Sequence, residues 1–132
     1  MKKIFLIITI LVIITNISTA QNNPGKNEKK QFLYLLRLEK AMQDTAAWTP
    51  EKQQSVAAHF ARLQKMLQDG ILILAGKTST DLSTTFGIVV YEAESLEEAK
   101  AIAEDDPAVK AKIMTVEVYP YQVALMRGIN NK

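Results

Sequence analysis

The fold is decided by residues 49–76, TPEKQQSVAAHFARLQKMLQDGILILAG, which join a helix to a strand. Thr49 is a typical N-cap residue, Pro50 suits the first helical position, and Glu51 places a negative charge in the first turn. These three residues predict that a helix begins at Pro50. Apolar residues then recur at spacings of four, three and four, which predicts a core-facing stripe made of Val56, Phe60, Leu63 and Leu67.

The other elements follow on either side of this helix. Gly70 is a common helix stop, and the apolar run 71–75 directly after it predicts a strand. A capping box at Ser95 predicts a second helix, which must end before Pro107 because the residue preceding a proline disfavours helical geometry. Further apolar or alternating runs predict strands over residues 32–38, 85–91 and 113–119.

The predicted order is therefore strand, helix, strand, strand, helix, strand. With two right-handed crossovers, this order gives a ferredoxin-like βαββαβ sandwich of the α+β class, with four antiparallel strands and both helices on one face. The opposite sheet face would be apolar and uncovered, and an exposed apolar area of that size usually marks an interface. The sequence thus predicts a homodimer that packs through the open sheet face.

The first twenty residues have the pattern of an export signal. Lys2 and Lys3 form a positive n-region, residues 4–14 form an apolar stretch, and residues 18–20 are small, as a signal peptidase requires. We predict cleavage after Ala20 and an exported protein, periplasmic or secreted. An uncleaved anchor is the alternative, but the apolar stretch is shorter than the ~20 residues of a spanning helix.

The charge balance excludes some partners. The chain has 16 Lys and Arg against 14 Asp and Glu, and loss of Lys2 and Lys3 with the signal leaves 14 of each. A neutral mature chain carries no electrostatic footprint for nucleic acid, and no stable membrane association is expected after cleavage. The predicted segments are a signal peptide at 1–20, a disordered leader at 21–30, a single domain at 31–127 and a tail at 128–132.

The residue types also limit the chemistry. The 132 residues include no Cys and one His, so a disulfide, a thiolate nucleophile, an iron-sulfur cluster and a cysteine-rich zinc site are excluded. A site with several histidines cannot form within one subunit. We therefore expect no metal and no cofactor.

His59 and an acid near Pro107 are the candidates for catalysis. The predicted topology brings the start of the first helix close to the end of the second, so Asp106 could reach the His59 ring. A carboxylate on one ring nitrogen would orient the other nitrogen as a general base. A hydrogen bond that only ties two helices together is the alternative, and from spacing alone Asp105 is also within reach.

Several pieces of sequence, in this order and spacing, resemble the YCII-related domain family of YciI-like proteins. The resemblance covers residues 31–123 and is carried by the following segments: Val56–Leu63, Gln68–Gly70, Ala75–Gly76, Glu94–Ala99, Asp106–Pro107 and Val118–Tyr121.

The resemblance implies a dimeric α+β barrel of ferredoxin-like subunits. It also implies an active-site pair of His and Asp, which falls on His59 and Asp106, and one branch of the family eliminates chloride from a chlorinated hydroxymuconate-type compound. This chain has Lys77 where the family usually has proline and Ala108 where it usually has an aromatic residue. Both changes would reshape the mouth of the pocket, so the substrate of that branch should not be assigned to this chain.

Two functions from different classes remain open. In the first, His59 moves a proton on a small organic acid or ring compound, in an elimination or isomerisation that needs no cofactor, and Lys77 binds a substrate carboxylate. In the second, the protein is a non-catalytic, dimeric module that binds an unknown small ligand, and the pair of His59 and Asp106 is part of the scaffold.

Overall fold

The computed structural model describes residues 29–127. The predicted signal peptide, most of the predicted leader and the predicted tail lie outside these residues. The described elements, in chain order, are β1 (Lys30–Leu38), α1 (Pro50–Gln68), β2 (Leu72–Lys77), β3 (Phe86–Ala93), α2 (Leu96–Glu104), the short helix α3 (Pro107–Lys110) and β4 (Met114–Pro120).

The four strands form one antiparallel sheet in the order β2-β3-β1-β4. The two central strands are β1 and β3, and Tyr34 of β1 lies opposite Val89 of β3 and Val118 of β4. This is the predicted ferredoxin-like βαββαβ fold. Two features were not predicted: the helix α3, and two 3₁₀ turns at Lys40–Gln43 and Thr45–Ala47.

The predicted helix starts are confirmed. The Thr49 hydroxyl accepts a hydrogen bond from the backbone N–H of Lys52, and the Ser95 hydroxyl accepts one from Glu98. The Glu98 carboxylate accepts a hydrogen bond from the N–H of Glu94, one residue before the N-cap, so the second half of the predicted capping box is shifted by one residue. The two hydroxyl contacts satisfy backbone donors that the first turn of a helix leaves without partners.

The main core lies between the sheet and the helices. Alternate residues of the central strands face the helices, because successive side chains of a strand point to opposite sides. Its buried members are Phe32, Tyr34, Leu36, Val89, Tyr91 and Ala93 from the strands, with Leu63, Met66, Ala99 and Ala103 from the helices.

The predicted apolar stripe of α1 is partly wrong. Leu63 is buried, but the side chains of Phe60 and Leu67 are 61% and 59% exposed, and Met66 is buried instead. Two polar contacts account for this orientation of α1. Arg62 donates to the backbone carbonyl of Ile102, and His59 contacts Asp106. Together they turn the side of α1 that carries His59 and Arg62 toward α2 and α3.

The other face of the sheet carries a second set of apolar side chains. Val90 is buried at its centre, whereas Leu74 and Tyr119 on the edge strands are about half exposed. The remaining apolar members of this face are Leu33, Leu35 and Ile88. None of the described helices has the length and apolar character needed to cross a membrane.

Candidate active site

His59 lies in the middle of α1 and is held by one short contact. Its Nδ1 is 2.6 Å from Oδ2 of Asp106, which lies between α2 and α3. The His59 side chain is 12% exposed and the Asp106 side chain is fully buried. The predicted contact of His59 with Asp106 is therefore present, but it joins the middle of α1, and not its start, to the residue between α2 and α3. Nε2 is the ring nitrogen on the side away from the carboxylate.

The local sequence fixes the position of Asp106. Asp106 is the N-cap of α3, and its Oδ1 accepts a hydrogen bond from the backbone N–H of Ala108 at 2.9 Å. Pro107 has no N–H, so the carboxylate caps the next residue instead. Each carboxylate oxygen thus has one hydrogen-bond partner, and the side chain cannot turn away from His59 without losing its cap.

The structure also distinguishes the two neighbouring acids. Asp105 is exposed and pairs with Lys110 at 2.9 Å, and its carboxylate is 3.9 Å from Arg62. The hydrogen bond from Lys110 and then its charge lower the pKa of Asp105. Asp106 faces the interior and Asp105 faces solvent, so Asp106 is the acid that belongs to the site.

His59 forms part of the wall of a cleft of about 610 Å³. The cleft lies between α1 and the ends of strands β1, β2 and β3. Its walls are mostly apolar, with a few polar side chains. The lining residues are Leu36, Arg37, Leu38, Gln53, Val56, Ala57, His59, Phe60, Leu63, Ala75, Gly76, Lys77, Thr85, Phe86, Gly87, Ile88, Val89 and Met114.

Lys77 lines the same cleft from the end of β2, and its side chain is exposed. Arg37 stands over the ring of Phe86, with its Cζ 5.4 Å from the ring centroid. Because Arg37 follows the core residue Leu36 in β1, this pair projects from the other face of the sheet. The cleft therefore combines one imidazole, one lysine and apolar walls. Such a combination suits a small apolar or ring-shaped molecule that carries a negative charge.

Sequence reasoning missed three residues around the site. Arg62 lies three positions after His59, a spacing that places both on one side of a helix, and this could have indicated a contact with α2. Phe60 was predicted to be in the core but lines the cleft. Tyr34 was predicted only as a strand residue, yet its hydroxyl is buried and has no hydrogen-bond partner among the described residues.

Two other sequence features can be assigned. The Ser55 hydroxyl donates to the backbone carbonyl of Glu51 in its own helix and not to His59. Within residues 29–127, no group of three or more His, Cys, Asp and Glu side chains is arranged to hold a metal ion.

The model of the YCII-related domain matches residues 33–122. The chain belongs to the YCII-related domain family. A search of curated proteins found no match.

Among solved structures, the chain is similar to 5-chloro-2-hydroxyhydroquinone dehydrochlorinase from Burkholderia phenoliruptrix, in complex with 2,5-dihydroxybenzoquinone. The identity is 23%, the TM-score is 0.52, and the match covers 70% of this chain and 93% of the other. A conserved Bacteroides thetaiotaomicron protein of unknown function, described as a possible oxidoreductase, also matches. It has 10% identity and a TM-score of 0.38, with 73% of this chain and 100% of the other covered. At these identities the likeness concerns the fold.

Proposed function

We propose that the protein is a small-molecule enzyme without a cofactor, in which His59 transfers a proton of a small organic acid or ring compound. Elimination and isomerisation are the reaction types that need one positioned base and no cofactor. The supporting observation is the contact of His59 with the buried Asp106, at the wall of a mostly apolar cleft.

In this proposal Asp106 sets the state of the imidazole. The Asp106 carboxylate accepts the Nδ1–H, so the lone pair of Nε2 is left to accept a proton from a molecule in the cleft. When Nε2 takes that proton, the ring becomes positive, and the carboxylate at 2.6 Å stabilises the charge. His59 can then return the proton to another atom of the same molecule or release it.

Lys77 is proposed to bind an anionic group of the substrate. It supplies a point charge at the end of β2, in the same cleft as His59. The apolar walls would hold the carbon skeleton of the substrate beside the imidazole. A dehydrochlorinase with this fold acts on 5-chloro-2-hydroxyhydroquinone, so chlorinated hydroxylated rings should be tested together with lactones and muconate-like acids.

The test is a substrate screen with the wild-type protein, His59→Ala and Gln64→Ala. Gln64 is exposed on the same helix, outside the cleft lining, and its variant serves as the control. We expect turnover of at least one compound class, a loss of about 10²-fold or more in His59→Ala, and no loss in Gln64→Ala. Equal background rates for wild type and His59→Ala across the screen would contradict the proposal.

A non-catalytic module that binds a small ligand is the second candidate, and the apolar walls of the cleft favour it equally. Native mass spectrometry of freshly purified protein distinguishes the two. Retention of the same ligand by wild type and His59→Ala, with no turnover by either, would support the binding module. If no ligand is retained, the binding module loses its support.

We also propose a homodimer that packs through the open sheet face. Its support is the set of apolar side chains on that face, which include Leu35 and Ile88 of the central strands. Sedimentation at micromolar concentration should show a dimer for wild type and a monomer for Leu35→Lys. A monomeric wild-type protein would contradict this proposal. A protein whose only role is to dimerise would tolerate His59→Phe without any loss of phenotype.

Export is proposed from the sequence of residues 1–20. Sequencing of the N-terminus of the protein recovered from a bacterial periplasm or medium should give Gln21 as the first residue. Recovery of the intact N-terminus in the membrane fraction would instead support the anchor.

A further inference from the structure

Gly87 lies on the floor of the cleft, on the helix-facing side of the sheet. In β3 it pairs with Leu36 of β1 on one side and with Lys77 of β2 on the other. Leu36 belongs to the main core, and directly opposed residues of neighbouring strands point to the same face, so Gly87 and Lys77 lie on the face that packs against α1. The three positions form one row across the floor of the cleft, and the central position has no side chain.

The backbone does not require a glycine at this position. Gly87 lies in a strand, and its φ is outside the left-handed region that favours glycine. A Cβ atom on Gly87 would meet the carbonyl oxygen of Gly76 at 3.5 Å and the side chain of Leu36 at 3.8 Å, which are ordinary contact distances. Glycine weakens the interior of a strand and often marks a place where a ligand approaches the backbone closely. The fold can thus accommodate a side chain here, and the effect of the glycine is to leave space in the cleft.

The helix-facing residues of β3 become smaller toward the cleft. They are Tyr91, Val89 and Gly87, in this order. Tyr91 is fully buried, and its hydroxyl donates to a backbone carbonyl of α2. At the other end, α1 does not fill the space that Gly87 leaves. The residue of α1 in this part of the cleft wall is the small and exposed Ala57, and none of the three atoms nearest to the Cβ position of Gly87 belongs to α1.

We propose that Gly87 selects the shape of the ligand, and that a flat, conjugated part of an anionic ligand lies against its backbone. Apolar atoms attract each other best at about 3.5–4.0 Å. A flat group can come this close to the peptide groups of Gly87 along its whole face, whereas a puckered ring touches them with fewer atoms. Lys77, in the same row, supplies the positive charge for the anionic end of the ligand. This inference rests on the proposed function, because it specifies the shape of the molecule on which His59 would act.

The first test compares two carboxylates of equal charge, the flat 2-naphthoate and its puckered, saturated counterpart decahydronaphthalene-2-carboxylate. Titrations followed by amide NMR measure the affinity of the wild-type protein for each. We expect 2-naphthoate to bind about tenfold more tightly and to shift the amide signals of Gly87 and Lys77. Equal affinities, or no binding of 2-naphthoate at millimolar concentration, would overturn the proposal. The result is independent of the substrate screen, because binding of a flat acid requires no proton transfer by His59.

The second test is the variant Gly87→Ala, with Ser83→Thr as the control. Each substitution adds one carbon atom, but Ser83 is exposed in the loop before β3 and lies outside the cleft lining. We expect Gly87→Ala to bind 2-naphthoate about tenfold more weakly with no fall in melting temperature, and Ser83→Thr to match the wild type in both measurements. Unchanged affinity in Gly87→Ala would overturn the proposal. A lower melting temperature together with lost affinity would also overturn it, because the glycine would then be required by the fold.

Discussion

The two long helices pack on the same sheet in different ways. On α2 the buried positions are the small residues Ala99 and Ala103, both fully buried, and Leu96 and Ile102 pack beside them partly buried. On α1 only Leu63 and Met66 are buried, and Phe60 stays 61% exposed. Because alanine is small, α2 can approach the sheet closely, and the space between α2 and the sheet is filled. We call this the closed side of the helix layer, and the side of α1 with its cleft the open side.

The looser contact of α1 has a consequence for function. The cleft lies between α1 and the strand ends, and Phe60 and His59 both line it. The short contact between His59 of α1 and Asp106, which follows α2, joins the open side to the closed side. Thus α2 provides the support, and α1 provides the wall of the candidate site.

The substitution Asp106→Ala should have the largest effect. It leaves the Nδ1–H of His59 and the backbone N–H of Ala108 without their acceptor. Because each unsatisfied buried donor costs about 1–3 kcal/mol, we expect the free energy of unfolding to fall by about 3 kcal/mol. Urea unfolding of Asp106→Ala and Asp105→Ala measures this, with the exposed neighbour as the control. Equal midpoints for the two variants would show that the contact does not hold the helices together.

A matched pair of substitutions tests the closed side against the open side. Ala103→Leu forces a larger side chain into a fully buried position and should lower the free energy of unfolding by about 2 kcal/mol. Ala57→Leu makes the same change at an exposed position that lines the cleft, and should alter stability by less than about 0.5 kcal/mol.

Thermal unfolding of the two variants provides the measurement. A similar loss in both would show that α1 packs as tightly as α2, which contradicts the difference between the closed side and the open side. Where a substrate or ligand has been found, Ala57→Leu should weaken its binding because it narrows the cleft.

The smallest expected effect is that of Asp105→Asn, and it depends on pH. Lys110 lowers the pKa of Asp105 in the folded protein. The stabilisation is therefore present above the pKa of the unfolded chain, about 3.9, and is lost as the pH falls through the lower folded pKa.

The melting temperature of Asp105→Asn should thus be slightly below that of wild type near neutral pH, and the difference should vanish in acid. Added salt should reduce it, because the pair is exposed. A difference that grows in acid would contradict this assignment.

The sequence predicted the fold well because its signals are local. Thr49, Pro50 and Ser95 mark helix starts through contacts with their own first turns, and these contacts are present. Asp106 also has a local signal, because a capping acid before proline marks a helix start. Its contact with His59 followed from the order of the elements.

The features that the sequence did not predict depend on tertiary contacts. The orientation of α1 is associated with the hydrogen bond from Arg62 to Ile102, two residues that lie 40 positions apart. The spacing of apolar residues along a helix gives no information about such a contact. The apolar pattern instead placed Phe60 in the core. The free hydroxyl of Tyr34 is of the same kind, because strand alternation shows that the ring is buried but not which acceptors surround it.

We propose that Asp106 holds the proton of His59 on Nδ1 and leaves Nε2 available in the cleft. Because the chain contains one His, nitrogen-15 NMR of the ring at a pH where it is neutral reports this tautomer without ambiguity of assignment. We predict protonation at Nδ1 in wild type and loss of this preference in Asp106→Ala. A ring protonated at Nε2, or the same spectrum in both proteins, would show that Asp106 does not set the tautomer of His59.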